Sequence, residues 1–564
     1  MKYYLTGVQA GLIDRYTQNK VGLPGLVLME KAAEAAAQEL ECKLSEYEER
    51  FDKSRDKILI VAESGNNGGD GVAIARILKT HGYNTFIYEI NGISSKSDSY
   101  LKQIEIAKNL GVDFVTPDIE DEAVFDDYRV IVDSIFGVGL TREVKGIHSK
   151  VIDRINHAGA GMSFVFSIDI PSGISSSTGH VLGNAVRSHM TVTFQYEKLG
   201  MLENEGREYS GRIICRDIGI YVPSDITEME RIFESDLAGD SSETINKQIC
   251  YEYSRDDVRR LLPDRKADSN KGTYGKVLIF AGSRDVYGAL YMAAESALRV
   301  GAGLVKVVTD IRNRDILSEK LPEAMMLTYD VQELSVEESS REFYKKLAES
   351  VKWADVILAG PGIGTDSAAE EILKYLIDCC GTEKGMLNKK AGKESRAKKL
   401  ILDADALNII AKNTNAWFDK ITDAFGRGNI VITPHIAEMS RLVGKPVSEV
   451  KEKKAEIAHM VSDRYGTITV LKDARTYVTA PDECSVYVNT TGNSGMSTGG
   501  SGDVLAGISA GIAAQMDDRK LNMKNVAAIA VNLHGRAGNA AREKMGERGM
   551  TATDILVAIC RDIC

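Results

Sequence analysis

Two α/β domains in tandem, each a mainly parallel sheet covered by helices on both faces, are what this sequence predicts. Strand-like apolar runs alternate with helical stretches, the pattern of parallel sheets. That alternation fades once, in a polar acidic stretch, and then restarts. The chain is also long enough for two domains at 564 residues, and its 43% hydrophobic content supplies both with cores.

The first helix is expected over residues 25–40, GLVLMEKAAEAAAQEL, where strong helix formers carry apolar positions at helical spacing. The run KILIVAES follows, then a glycine cluster, then the helical DGVAIARILKTHG. Further strands are read in TFIYEI, RVIVDSIFG, SFVFSIDIPSG and HMTVTFQYEK. This first domain, a three-layer Rossmann-like sheet, is assigned residues 1–220. Residues 221–250, YVPSDITEMERIFESDLAGDSSETINKQ and the two that follow, are polar and weakly patterned and read as a linker. From 251 to 564 the rhythm resumes in GKVLIFAGS, GLVKVVTD, ADVILAGPGIG, KKLILDADAL, NIVITPH and TITVLKDA. Residues 381–399, rich in lysine and glycine with no apolar period, are expected to form a solvated surface insertion.

A net charge of −11 argues against a general nucleic-acid binder, because phosphate affinity rests on clustered Lys and Arg. A basic pocket for one small anion stays compatible with it. The opening MKYYLTGVQAGLIDRY lacks a secretory pattern, and no apolar run reaches the ~20 residues a bilayer requires. The eight cysteines include one vicinal pair, Cys379 and Cys380, and no CxxC. The expectation is a cytoplasmic protein bound to neither membrane nor nucleic acid.

Three glycine-rich or acidic strand ends carry the chemistry of the first domain. ESGNNGGDG (63–71) places four glycines between a strand and a helix, where free N–H groups and the helix dipole favour phosphate. It is neither GxGxxG nor a P-loop. VDSIFGVGLTRE puts Asp133 at a strand terminus, and FSIDIPSG puts Asp169 and Ser172 at another. A strand-end Asp alone is commonly a cap or turn residue. Three such loops at the carboxyl ends of parallel strands converge on a ligand site.

NNGGDG, DSIFGVGL and DIPSG together resemble the NAD(P)H-hydrate epimerase family, over roughly residues 1–219, and LIDRYTQNKVGLPGLVLMEKAA is similar to its opening. The resemblance implies that Asn66, Asn67, Gly68, Gly69 and Asp70 contact the dinucleotide phosphates. Gly137, Val138, Gly139, Leu140, Thr141, Arg142 and Glu143 would form a second ligand loop. Asn67, Asp133 and Ser172 would hold K⁺, and Asp169 would be the acid/base.

In the second domain, TTGNSGMSTGGSGDVLAGISAGIAAQ opens a long helix directly on GGSGD (499–503). Glycine amides and the helix N-terminus form an anion hole, and an Asp there can prepare a hydroxyl for attack on a phosphoryl group. This loop resembles the ribokinase-like superfamily. Within it, NKGTYGKVLIFAGS, AGPGIG, LDADALN, TPHIAEMSRL, KDART and GNSGMSTGGSGD follow the order seen in NAD(P)H-hydrate dehydratases, which use ADP or ATP. The similarity implies a nucleotide held by Lys472, Asp473, Ala474, Arg475 and Thr476 and by Asn493, Ser494, Gly495, Met496, Ser497, Thr498, Gly499, Gly500, Ser501 and Gly502. Gly364 and the run His435, Ile436, Ala437, Glu438, Met439, Ser440 and Arg441 would contact the hydrate, with Asp503 catalytic and Mg²⁺ accompanying the nucleotide. A packing or turn role for His435 is an equal alternative.

Two departures from that pattern stand out: Asp473 where the family has Gly, and Ile436-Ala437 in place of Pro-Gly. The family resemblance implies a homo-oligomer, and the glycine- and alanine-rich GDVLAGISAGIAAQ is expected to pack closely against a neighbour or its own sheet. The alternative function is a ribokinase-like small-metabolite kinase with a ligand-binding front domain. A second alternative leaves the front domain as a non-enzymatic scaffold.

Overall fold

The computed structural model describes residues 1–46, 51–90, 96–237, 248–387, 397–516 and 521–562. The chain divides into two compact units, Lys2–Cys250 and Tyr251–Cys564, the latter with Met1.

The sheet of the front unit runs Asp113–Val115, Asn84–Glu89, Lys57–Ala62, Tyr128–Ser134, Phe164–Ile168, Met190–Phe194, Arg212–Arg216, with every pairing parallel. Alternation along each strand divides the core between its two faces. Ile58, Ile60, Val130 and Val132 face one apolar layer, while Leu59, Val61, Ile131 and Val165 face the other. Chain order reverses on either side of Lys57–Ala62. The loops following Ala62 and Ser134 therefore part and leave a crevice, as switch points in such sheets do. The helix Gly25–Ser45, longer than 25–40, buries Ala32, Ala33, Ala36, Ala37 and Leu40 beside the helix Asn66–Thr80.

Two readings need correction here. HMTVTFQYEK is not one strand: it breaks at Gln195 (φ 59°), and a short strand Glu197–Lys198 pairs with Lys2–Leu5 instead. Part of the 221–250 stretch is the helix Ile226–Leu237, which buries Met229, Ile232 and Phe233 and packs on the helix Gly7–Tyr16. Its many acids mask an apolar stripe at helical spacing.

In the back unit, seven parallel strands run Met325–Tyr329, Leu304–Asp310, Lys276–Phe280, Val356–Ala359, Lys399–Leu402, Ile430–Ile432, Thr467–Leu471. Thr476–Thr479 and Ser485–Asn489 continue them antiparallel. The helix Ser501–Gln515 is buried almost all round. It lies so close to the helix Tyr287–Arg299 that a Cβ on Gly507 would sit 2.1 Å from the Ala293 carbonyl oxygen. Its small residues thus serve packing within this unit. Of the stretch 381–399, residues up to Leu387 continue the helix Ser367–Leu387 and Lys399 begins a strand. Residues 388–396 lie outside the described residues. No described helix is long and apolar enough to cross a membrane.

Candidate active sites

The front crevice is a cleft of about 910 Å³. Asn66, Asn67 and Asp70 line it from one side, Gly137, Val138, Gly139, Leu140, Thr141 and Arg142 from another, and Asp169 from a third. Gly65 caps the helix Asn66–Thr80 without a side-chain bond, so no side chain of the cap occupies the first-turn N–H groups. Gly68 and Gly69 do not line the cleft. A Cβ on Gly68 would lie 1.6 Å from the Glu63 carbonyl oxygen, and one on Gly69 would lie 2.7 Å from the Met29 methyl. Those glycines permit packing rather than ligand approach. Glu143 points away and pairs with Lys145 at 2.6 Å.

Asp133 and Ser172 sit behind the wall. The fully buried Asp133 carboxylate accepts from Ser167 Oγ (2.7 Å), Ser172 N (2.9 Å), Ser172 Oγ (2.5 Å) and Ile135 N (3.3 Å). Ser172 Oγ in turn accepts from Phe136 N at 2.8 Å. These bonds pin two strand-end loops together. Asn67 lies against Gly137, and its buried Nδ2 has no partner. Amide N and O exchange places by a flip, so an oxygen fits this spot equally well. A buried orphan amide that can present its oxygen suits a hard cation that prefers oxygen.

Asp169 holds φ 65°, a left-handed conformation that Asp tolerates better than most residues. Its Oδ1 accepts from Lys198 Nζ and from Thr193 Oγ1 (3.1 Å), and Lys198 also donates to Thr193 Oγ1 at 2.8 Å. Lys198 is only 3% exposed and lines the cleft, yet nothing in the sequence singled it out. Asp14, whose Oδ2 accepts from Gln18 at 2.8 Å, is another cleft residue the motifs did not mark. Burial raises the Asp14 carboxyl, and the charge of Asp169 adds to the effect.

In the back unit, the strands Lys399–Leu402, Ile430–Ile432 and Thr467–Leu471 deliver Asp403, Thr433 and Lys472 at their carboxyl ends. Lys472 Nζ donates to Asp403 Oδ1 at 2.7 Å, as does Thr433 Oγ1 at 2.7 Å. Asp403 is the buried partner that sequence reading passed over. This pair lies beneath the glycine loop, for a Cβ on Gly502 would sit 3.3 Å from Lys472 Nζ. Gly500 (φ 91°) turns the chain into the helix, and Gly499 has nothing within 4 Å of its Cβ position. Asp503, in the first helical turn, is pushed up to about 7 by burial first and by the Asp403 charge second. Burial opposes the charge on Lys472, but Asp403, Glu438 and Asp503 outweigh it and raise its ammonium.

The remaining expected residues divide. Gly364 (φ 79°) donates its N–H to Asp405 Oδ2 at 2.9 Å. His435 caps the helix Ile436–Val443, its Nδ1 accepting from Ala437 N (3.1 Å) and Glu438 N (3.3 Å). His435 thus caps this helix while its ring stays half exposed. Ile436, Glu438 and Met439 are buried, Ala437 and Ser440 partly so, and Arg441 is exposed. Asp473 turns outward to Lys454 at 3.2 Å. Arg475 donates to the Ala474 carbonyl (3.0 Å), and Thr476 to the Asp473 carbonyl (3.3 Å). Asn493 Oδ1 accepts from Gly495 N, Ser494 bonds Glu547, and Met496 packs against Gly538. Ser501 Oγ meets the buried His534 at 3.2 Å. Ser497 and Thr498 complete the loop, Ser497 exposed and Thr498 half-buried.

Fold and site lining together define a two-domain α/β enzyme with one carboxylate, Asp169, in a crevice and another, Asp503, in the first turn of a helix. Comparison with known proteins gives that class its family. The NAD(P)H-hydrate dehydratase family matches residues 277–561, and the family described as YjeF-related protein N-terminus matches residues 25–200. The bifunctional NAD(P)H-hydrate repair enzyme Nnr of Moorella thermoacetica is 32% identical, over 98% of this chain and 95% of its own. Its counterpart in Escherichia coli is 31% identical, over 99% and 93%. A solved structure, the ADP/ATP-dependent NAD(P)H-hydrate dehydratase of Bacillus subtilis co-crystallised with ATP/Mg²⁺, is 26% identical, covers 55% of this chain and 96% of its own, and has a TM-score of 0.42. The chain belongs to the family of bifunctional NAD(P)H-hydrate repair enzymes.

Proposed function

We propose that the front unit interconverts the R and S forms of hydrated NADH and NADPH, and that the back unit dehydrates the S form with ADP, giving AMP and phosphate. The observation that carries this reading is the presence of one buried Asp–Lys site in each unit, Asp169–Lys198 and Asp403–Lys472, the second beside Asp503. The kinase alternative accounts for the second site only, and family membership spans both.

The hydrate carries its hydroxyl on a carbon bonded to the ring nitrogen, so that centre can open and reclose by proton transfer. Asp169 is placed to move that proton, and a positioned carboxylate contributes about 10²–10⁴-fold. In the back unit hydroxide must first become a better leaving group. Asp503 takes the hydroxyl proton while the hydroxyl oxygen attacks the terminal phosphoryl of the nucleotide. The amides of the Gly499–Gly502 turn face the charge that develops on that group. Elimination of phosphate then restores the reduced ring.

Residues 1–220 are assigned to the epimerase and 251–564 to the dehydratase. Asn67, Asp133 and Ser172 would hold K⁺, supported by the orphan Asn67 amide; the ion would fix the two loops and supply positive charge near the phosphates. Among the described residues no three His, Cys, Asp or Glu are grouped to bind a metal. Mg²⁺ would accordingly arrive with the nucleotide phosphates, as it commonly does. A cytoplasmic homo-oligomer is part of the same reading, and light scattering of the purified chain tests the assembly.

The test of function is a mixture of both NADH-hydrate epimers with Mg²⁺, K⁺ and ADP or ATP, followed at the reduced-nicotinamide absorbance. Full recovery of NADH supports both activities. A stall after one epimer is consumed removes the epimerase, and no recovery with either nucleotide removes the dehydratase.

A further inference from the structure

The front cleft holds more acid/base groups than one carboxylate requires. Asp14, Asp70, Asp169 and Lys198 all line it, brought there by the helix Gly7–Tyr16, the helix Asn66–Thr80, the turn after Phe164–Ile168 and the strand Glu197–Lys198. Arg15, Arg142 and Glu63 complete its charged lining, and Glu63 is held by His148 at 2.5 Å. Lys198 directs two of its protons to Asp169 and Thr193, so its charge belongs to Asp169. Asp14 is tied to Gln18. Asp70 has no side-chain hydrogen-bond partner among the described residues, Asn67, Asp133 and Ser172 included.

We propose, on the epimerase reading, that Asp70 is the proton donor and Asp169 the proton acceptor of the epimerisation, with Lys198 as the positioning residue that keeps Asp169 the acceptor. Burial pushes the Asp70 carboxyl well above the usual carboxylate range, and the charges of Asp169 and Asp14 add to it against the opposing pull of Lys198. A carboxyl raised in this way is suited to donate a proton, and the lysine-paired Asp169 to accept one. The phosphate contact expected of Asp70 fits the site less well, since an ionised carboxylate there would repel a phosphate.

The step balances without a co-reactant. Asp169 takes the proton of the hydrate hydroxyl, the O–H electron pair forms the C=O bond, and the C–N bond breaks. The ring nitrogen receives the departing pair and takes a proton from Asp70. Rotation of the freed carbonyl presents its other face. Nitrogen then attacks it and returns its proton to Asp70, while Asp169 returns the proton to oxygen.

The full-length protein serves for the test, with the epimer mixture, Mg²⁺, K⁺ and the nucleotide. The S form disappears in a fast phase and the R form in a slow phase set by epimerisation. A wild-type slow phase no faster than the enzyme-free rate overturns the epimerase reading itself. Given a catalysed slow phase, Asp70→Asn is expected to lower its kcat about a hundredfold or more, with KM for the hydrate within about threefold. The wild-type kcat/KM should fall at high pH as the donor ionises, and this limb should vanish in Asp70→Asn and survive, displaced, in Asp70→Glu. Lys198→Met should lower the slow-phase kcat with KM for the hydrate little changed, and Lys198→Arg should restore part of it. An Asp70→Asn enzyme with unchanged kcat and a lower KM overturns the proposal and returns Asp70 to the phosphate. A lost rate with an unchanged pH profile in both Asp70 variants overturns it as well. Where Asp70→Asn fails to fold by thermal melt, the displaced limb of Asp70→Glu decides.

Discussion

The two active sites are built on unrelated sheets from the same parts. In each, a strand-end Asp accepts from a Lys and a Thr: Asp169 from Lys198 and Thr193, Asp403 from Lys472 and Thr433. In each, a non-glycine residue at that strand end is left-handed, Asp169 at φ 65° and Ala404 at φ 49°. Such conformations cost on the order of 1–3 kcal/mol and persist where surrounding structure enforces them. A second Asp, Asp70 or Asp503, lies early in a helix opened by glycines. The difference lies in which Asp is accessible. In front, the lysine-bound Asp169 lines the cleft; behind, the lysine-bound Asp403 is 1% exposed, and the partly exposed carboxylate is the helix-borne Asp503. One arrangement thus leaves a different carboxylate accessible in each unit.

The largest effects should separate the sites. Asp503→Asn is expected to lower dehydration about 10²–10⁴-fold and to leave epimer exchange at its wild-type rate. Asp169→Asn should do the reverse, abolishing exchange while S-form recovery proceeds. Following the epimer ratio and NADH recovery in parallel checks both, and a shared loss in either variant would break the division of labour.

The pH response should differ in the same sense. Asp503 must be ionised to accept the hydroxyl proton, and its carboxyl lies at about 7. Dehydration kcat/KM should therefore rise about tenfold per pH unit below 7 and level off above it. A profile already flat from pH 5 would remove Asp503 as the base.

A smaller contrast lies in what supports the loops. The front loops are pinned by Asp133 through four hydrogen bonds, whereas Ser501, the first residue of the back helix, rests on His534. Burial depresses the His534 imidazole to about 4, from an ordinary 6.5. Between those values the unfolded chain binds the extra proton, so stability falls as pH drops from 6.5 toward 4. The loss across that whole window is about 3 kcal/mol, because a proton bound only by the unfolded chain costs about 1.36 kcal/mol for each pH unit descended. His534→Gln should flatten that part of the stability–pH curve of the back unit in urea titrations, and an unaltered curve would count against the histidine.

The sequence made the strands, the glycine loops and both proposed catalytic carboxylates legible, because apolar runs and glycine clusters are local signals. Asp169 and Asp503 each stand at the end of such a run. Lys198 was hidden because the strand before it turns at Gln195, a left-handed residue that no glycine announces. Asp403 and Lys472 are 69 residues apart, and only the sheet order brings their strand ends together. The close packing of Gly68 and Gly69 against the Glu63 backbone and the Met29 methyl is invisible in one dimension. The helix Ile226–Leu237 was passed over because its acidic residues dominate its composition, while Met229, Ile232 and Phe233 hold the buried stripe.

The smallest expected effect concerns a charge beside the proposed nucleotide loop. Asp473 follows Lys472 directly, and an unpaired carboxylate there would repel a phosphate. The structure turns it away: Lys454, on the helix Lys454–Tyr465, holds it at 3.2 Å. In the front unit burial raises the helix-borne Asp70 well above the usual carboxylate range instead. An exposed pair of this kind is worth about 0.2–1 kcal/mol, so Lys454→Ala should raise the KM for ADP by no more than about fivefold with kcat unchanged. The double variant Lys454→Ala/Asp473→Gly should return KM to the wild-type value, because the repelling group and its neutraliser leave together. If the double variant is instead as impaired as Lys454→Ala, Lys454 serves the nucleotide directly and the Asp473 substitution is incidental.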